Sequence, residues 1–409
     1  MTELDHSMDV LVLHNARVVL ESEVIFGGVV LGDKRISNVF VERDRPAGLS
    51  SRQYADLNGA YLAPGMIDIH IHGAAGVDVQ DTDENGFDRI GEFLLSNGVT
   101  SYFPTFVPAD DEVYRSAVEN IRRYVSSNRE AFGAWILGVH FEGPFVSRER
   151  CGALKREFFR TYDGDHSSVE LFARGVADQG GAAQGRLMTL APEIEGGLDL
   201  VRYLTSRGVR AFIGHSTADP EVLELAFEAG ARHVTHFPNA LEPLHHRKPG
   251  AVAWALLRDD VTFDCIADFH HVDPLMLRLM RKLKGASGMA LISDAIKPAG
   301  LGDGEFEVWG ERIEVRGGRT SLIGGSVAGT IAGSVVTMLD AFRNMVKIGV
   351  PIGDVVRMSS LTPARAAGVD AEVGSIVEGK RADLMAFDDN LKLTLTLSSG
   401  KPSWSSSPD

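Results

Sequence analysis

A chain of 409 residues, 44% hydrophobic and 24% charged, holds one large barrel with an appendage or two to three smaller domains, and wholesale disorder is excluded. A formal charge of −15 argues against nucleic-acid and anionic-membrane partners, and Cys151 and Cys265 are too few for a disulfide framework. No apolar run reaches the ~20 residues of a membrane span, and MTELDHSMDV lacks the basic and apolar stretches of a secretory signal, so a soluble, cytoplasmic protein is expected.

Residues 10–62 carry short β-rich runs separated by turns, VLVLHNARVVL and then VIFGGVVLGDKRISNVF. Residues 373–397 have the same texture. The two ends are therefore expected to pair into one small β-sandwich domain (1–62 and 371–409), with 63–370 inserted between them. In that interior, eight apolar runs follow one another: GMIDIHI (65–71), VTSYFPTF (99–106), WILGVHFE (135–142), LMTLAPE (187–193), VRAFIGH (209–215), HVTH (233–236), VTFDCIA (261–267) and MALISD (289–294). Most gaps hold an amphipathic segment of helix length, several opening on Asp-Pro or Asp-Asp. Strands alternating with helices imply a parallel sheet, and eight units fit the α/β class as a (β/α)8 barrel. The alternative is an open doubly wound sheet, but no glycine-rich nucleotide fingerprint follows the first strand.

Titratable residues gather at the C-terminal ends of these runs, the rim where barrel active sites are built. His70 and His72 close the first run, Glu142 the third, His215 the fifth, His236 the sixth and Asp294 the eighth. The His-x-His spacing puts both imidazoles on one side of a strand. Alone it is a weak signal, and a single histidine reads more readily as a hydrogen-bonded core residue. Taken with Glu142, His215 and His236, each ending a separate strand, the pair instead points to a divalent metal, with Zn²⁺ first and Fe²⁺, Mn²⁺ or Co²⁺ suiting the same ligands. Glu142 has two oxygens and can bridge two ions. Asp294 can take a proton from water and return it to a leaving group, its bland alternative being a salt bridge or a helix N-cap. His245, His246, Arg247 and Lys248 form a local cationic run in an acidic chain. Arg247 suits a phosphate through its two-pronged donor, and His271 adds another donor, while Lys248 reads as surface.

The segments APGMIDIHIHG (63–73), GVHFEGPF (138–145), GHS (214–216), THFPNALEPLHHRKPG (235–250) and ISDAIKPAGLGDGEF (292–306) resemble the amidohydrolase superfamily, specifically its N-acetylglucosamine-6-phosphate deacetylases. IAGSVVTML (331–339), TPARAAG (362–368) and VGSIVEGKRADLMAFD (373–388) resemble its closing barrel helix, following helix and returning strands. The resemblance spans nearly the whole chain. It implies metal ligands at Glu142, His215 and His236, a second metal site through His70 and His72, and an acid/base at Asp294. It further implies that Asn239, Ala240, Arg247 and His271 hold a sugar phosphate, and that Ile331, Ala332 and Gly333 line the pocket. It also implies a homodimer in which a neighbouring subunit contributes to the phosphate site.

Two departures stand out. After EGPF the family reads K-G-A-H or similar, whereas this chain has CGAL, so Leu154 occupies the position of a histidine that contacts sugar and acyl group, next to Ala153. The family's D-G-L-H is DFHH here, with Phe269 in place of glycine. The implied reaction is hydrolysis of N-acetylglucosamine 6-phosphate to glucosamine 6-phosphate and acetate, in amino-sugar catabolism. The same chemistry on a galactosamine or mannosamine derivative is the alternative. A cyclic-amide hydrolase of the dihydroorotase type fits less well, because LMTLAPE offers no lysine to bridge two metals. A non-catalytic sugar-phosphate-binding protein would need no general base at Asp294.

Overall fold

The computed structural model describes residues 10–50, 53–127, 133–174, 185–324 and 328–405. Residues 1–9, which carry most of the N-terminal reading above, lie outside the described residues.

The eight apolar runs form eight parallel barrel strands: Met66–Ile71, Val99–Phe106, Gly138–Glu142, Gly185–Leu190, Arg210–Ile213, His233–Val234, Thr262–Ile266 and Met289–Ile292. Each is hydrogen-bonded to the next. The eighth returns to the first through a bridge between Ile71 and Ala295 and a 2.9 Å bond from the Asp294 N–H to the His70 carbonyl. The open doubly wound alternative is thereby excluded. Every residue of MIDIHI and VTSYFPTF is buried, as befits parallel strands covered on both faces.

Helices pack outside the strands and start where capping chemistry dictates. Asp83, Asp219 and Asp273 accept bonds from Gly86, Val222 and Leu275 N–H, and Pro220 and Pro274 follow at the first helical turn, where no donor is lost. Among the described residues no helix is long and apolar enough to cross a membrane.

The chain ends build a second sheet in the order Lys401–Ser405, Leu393–Ser398, Leu384–Phe387, Tyr61–Pro64, Val10–Val19, Val24–Gly32, Arg35–Val41, with Tyr54–Asp56 beside Val10–Val19. The two ends meet where Leu384–Phe387 runs antiparallel to Tyr61–Pro64. The far edge curls back, Ile36 N–H donating to Lys380 O (2.9 Å) and Ala382 N–H to Lys34 O (3.0 Å). The sheet so wraps a core of Leu13, Val29, Ile36, Leu62, Leu384 and Leu395. Arg381 ties it to the barrel: its guanidinium pairs with Asp383, donates to Ser101 Oγ (3.1 Å) and covers the Trp135 ring.

Three details depart from expectation. Within 373–397 the first strand starts only at Leu384, and what precedes it is turn and irregular chain. The expected helix over IAGSVVTML begins at Met338, capped by Thr337, because Ser334 is drawn into a parallel bridge with Ala295. Residues 304–322 form an antiparallel three-stranded sheet, Gly304–Val308, Glu311–Arg316 and Arg319–Leu322, which the sequence reading did not anticipate.

Candidate active site

Six of the expected site residues converge at the C-terminal rim of the barrel. His70 and His72 bring their Nε2 atoms within 3.2 Å of each other, and His215 and His236 bring theirs within 3.1 Å. Glu142 lies between the pairs. Its Oε1 is 3.0 Å from His215 Nε2 and 2.9 Å from His236 Nε2, and its Oε2 is 3.4 Å from His72 Nε2. Asp294 Oδ1 stands 3.1 Å from His72 Nε2 and 3.5 Å from His70 Nε2. All six side chains are buried.

The local backbone is bent to make this convergence possible. His215, His236 and Asp294 each lie two residues past a strand end with φ of +47°, +33° and +49°, a left-handed conformation costing ~1–3 kcal/mol in a non-glycine residue. Neighbouring bonds hold each one there. The carbonyl of His215 accepts from Ser147 N–H (2.9 Å), that of Asp294 from Ser334 N–H (2.7 Å), and the N–H of His236 donates to Asp264 Oδ1. Asp264 is held in turn by His233 (2.9 Å), and Glu193 fixes the turn after His215 through Ser216 Oγ (2.7 Å) and Thr217 N–H (2.6 Å).

Imidazole orientation is set from behind. His72 Nδ1 lies 3.0 Å from Thr105 O and His215 Nδ1 2.7 Å from Arg150 O. A carbonyl can only accept, so both Nδ1 atoms carry a hydrogen and both Nε2 atoms are turned toward the cluster.

The electrostatics follow from burial and crowding. Burial alone would raise the carboxyl of Glu142, but His70, His215 and His236 outweigh it and hold it well below its usual range. Burial drives His70 well below an ordinary histidine. His72 also pays desolvation, yet its bond to Asp294 and the charge of Glu142 overcome this and raise it to about 9.

These donors fit a divalent cation. Two acceptor nitrogens at 3.1–3.2 Å repel each other unless a proton or a cation lies between them, and two nitrogens ~2.0 Å from one tetrahedral ion stand ~3.3 Å apart. Two triads meet that description, His70–His72–Glu142 and Glu142–His215–His236, each buried and each with its donor atoms within 4.8 Å.

A cavity of about 340 Å³ opens over the cluster. Of the expected substrate contacts, Ala153, Leu154, Asn239, Ala240, His271, Ile331 and Gly333 line it. His271 is held by Asp268 (2.7 Å), and Asn239 donates to the His236 carbonyl (3.0 Å). A Cβ at Gly333 would fall 2.4 Å from Ile296 Cγ2, on a backbone with φ +52°, so this wall tolerates only glycine. Two expected residues stand elsewhere. Ala332 faces a neighbouring cavity, and Arg247 is exposed on the loop after Leu241, with its guanidinium against His246 (2.8 Å). Phe269 has φ +67°, a conformation in which glycine is unstrained.

Sequence reasoning missed Trp309. It sits at the tip of the hairpin joining Gly304–Val308 to Glu311–Arg316, lines the cavity, and meets the His72 ring edge-on at 5.2 Å. The signal was present: Trp-Gly is a two-residue loop between alternating runs, and both residues adopt positive φ as a tight hairpin turn requires.

Comparison with known proteins agrees with this geometry. Residues 61–406 match the amidohydrolase family. An N-acetylglucosamine-6-phosphate deacetylase of Bacillus subtilis is 36% identical over 393 residues, 95% of this chain and 96% of the relative. An N-acetylgalactosamine-6-phosphate deacetylase of Escherichia coli O157:H7 is 36% identical over 331 residues, 81% of this chain and 84% of the relative. The solved N-acetylglucosamine-6-phosphate deacetylase of Pasteurella multocida superposes with a TM-score of 0.87 at 31% identity, covering 96% of this chain and 99% of that one. The chain belongs to the amidohydrolase family.

Proposed function

For this member of the amidohydrolase family we propose metal-dependent hydrolysis of the N-acetyl amide of an amino-sugar 6-phosphate: N-acetylglucosamine 6-phosphate and water give glucosamine 6-phosphate and acetate. The observation that carries the reading is Glu142 set between two histidine pairs, with the Asp294 carboxylate 3.1 Å from His72. His70, His72, Glu142, His215 and His236 would hold one or two divalent ions per subunit, Zn²⁺ first by the chemistry of the donors. A cation bound there supplies Lewis-acid activation of a water and of the amide carbonyl.

The remaining steps belong to the chain. Asp294 accepts the proton of the attacking water as the carbonyl carbon becomes tetrahedral. It then gives that proton to the amine nitrogen as the C–N bond breaks. Burial of the cluster limits competing water and strengthens each of these contacts. Asn239, Ala240, His271, Ile331 and Gly333 line the space for the sugar, and His271 with Arg247 is assigned to its phosphate. Arg247 stands on an exposed loop, so this part of the assignment rests on movement of that loop or on a second subunit of a homodimer. Binding at the remote phosphate orients the amide.

The relative of equal identity that is named for the galactosamine derivative supports a second reading, the same hydrolysis on that epimer. The deciding experiment is acetate release from the 6-phosphates of N-acetylglucosamine, N-acetylgalactosamine and N-acetylmannosamine, by enzyme stripped of metal and reloaded with Zn²⁺, Fe²⁺, Mn²⁺ or Co²⁺. No release from any of them would remove the reading. Sizing chromatography and cell fractionation check the homodimer and its cytoplasmic location.

A further inference from the structure

A second cavity, of about 150 Å³, lies behind the first and shares Ala153, Leu154 and Trp309 with it. That volume is about ten times the ~10–15 Å³ at which a cavity first holds a water. Its wall is largely hydrocarbon: Val107, Pro108, Ala109, Phe158, Ile313 and Leu322. The amide of Gln80 also faces it but is spent on the backbone, donating to Val107 O (3.2 Å) and accepting from Val107 N–H (2.9 Å). Lys155 and the exposed Glu311 are its charged lining residues.

The partition between the two cavities is itself apolar. Leu154 is 8% exposed and packs on Val107, Val146 and Trp309. The indole N–H of Trp309 acts on the Asp78 carboxyl, and its ring lines both cavities. The same ring touches His72, which places the partition beside the cluster where the amide reacts. A hydrocarbon tail entering the rear cavity would bury its surface against the apolar wall at no polar cost, whereas a sugar hydroxyl there would have only Lys155 and Glu311 as partners for the water it loses.

We propose that this cavity receives the acyl tail, and that the chain hydrolyses N-acyl amino-sugar phosphates whose acyl group is longer than acetyl, up to about butanoyl. The inference rests on the deacylase reading above and assigns its acyl specificity. The reaction balances as before: the amide C–N bond breaks, a C–O bond forms from water, the carboxylate leaves, and the amine takes the proton from Asp294. Each methylene buried in such a wall favours binding about three- to fourfold.

The test is kcat/KM for glucosamine 6-phosphate acylated with acetyl, propanoyl, butanoyl or hexanoyl, on the metal-loaded enzyme and on Ala109→Leu and Phe158→Trp. Both substitutions fill the rear cavity from positions that do not line the front one. Butanoyl is expected to match or exceed acetyl in the parent. Each variant should lose at least tenfold on butanoyl and stay within twofold on acetyl, which also shows that it is folded. A parent that prefers acetyl over butanoyl by a hundredfold overturns the proposal. So does a butanoyl activity that neither variant changes. Failure on all four substrates instead removes the deacylase reading and this proposal with it, whereas acetyl activity alone removes only the proposal.

Discussion

The backbone N–H of Asp294 donates to the carbonyl of His70 at 2.9 Å across the seam that closes the barrel. The side chains of the same two residues come within 3.5 Å on the inner side of that seam. The hydrogen bond that completes the ring of strands therefore also holds the carboxylate beside the histidine pair.

Asp294→Asn preserves that backbone bond and the size of the side chain but cannot accept a proton. The variant should fold, bind metal with the stoichiometry of the parent, and lose turnover by at least a thousandfold. Metal analysis together with acetate release checks it. Activity within a few-fold of the parent would remove Asp294 as the acid/base.

The phosphate assignment predicts an asymmetry. Arg247→Ala should raise KM for a 6-phosphorylated substrate at least tenfold and leave the unphosphorylated N-acetyl sugar nearly unchanged. Equal effects on both would mean that the exposed position of Arg247 is also its working position, as a solvated surface residue.

The junction of the two sheets predicts a stability effect remote from the chemistry. Arg381 pairs with Asp383, a side chain only 4% exposed, and loss of one partner of a buried pair leaves an uncompensated charge. Asp383 keeps the Ser399 N–H (2.8 Å), so Arg381→Ala should cost about 3 kcal/mol, the lower end for such a break. Urea denaturation measures it, and a loss below ~1 kcal/mol would show that the pair contributes little to docking.

How much of this was legible in the sequence follows from the range of the interactions involved. His70, His72, Glu142, His215, His236 and Asp294 could be picked out because each ends an apolar run, and a parallel barrel carries all such ends to one rim. The residues that hold them could not. Asp264 acts on His236 from 28 positions away and Glu193 on Ser216 from 23, and no local pattern marks either. Trp309 hid for a different reason: its hairpin is inserted after the eighth strand, where barrel periodicity predicts a helix. Arg247 was read as a clamp from its chemistry and from the family resemblance, and neither shows that its loop stands exposed.

The last prediction concerns the proton on His72. In the chain without metal its pKa is raised to about 9, because the bond to Asp294 and the charge of Glu142 overcome burial. At neutral pH that imidazole is protonated, and a cation binding through His72 must displace the proton. Between pH 6 and 8, below the folded pKa, each unit of falling pH should then weaken the site that uses His72 about tenfold, and rising pH should strengthen it until it levels off near 9. Titration calorimetry in buffers of different ionisation enthalpy should count close to one proton released per ion at that site. Asp294→Asn removes the negative charge that holds the proton, so its pH slope should be shallower than that of the parent. An affinity independent of pH over this range would show that His72 is neutral before the ion arrives and that Asp294 does not charge it.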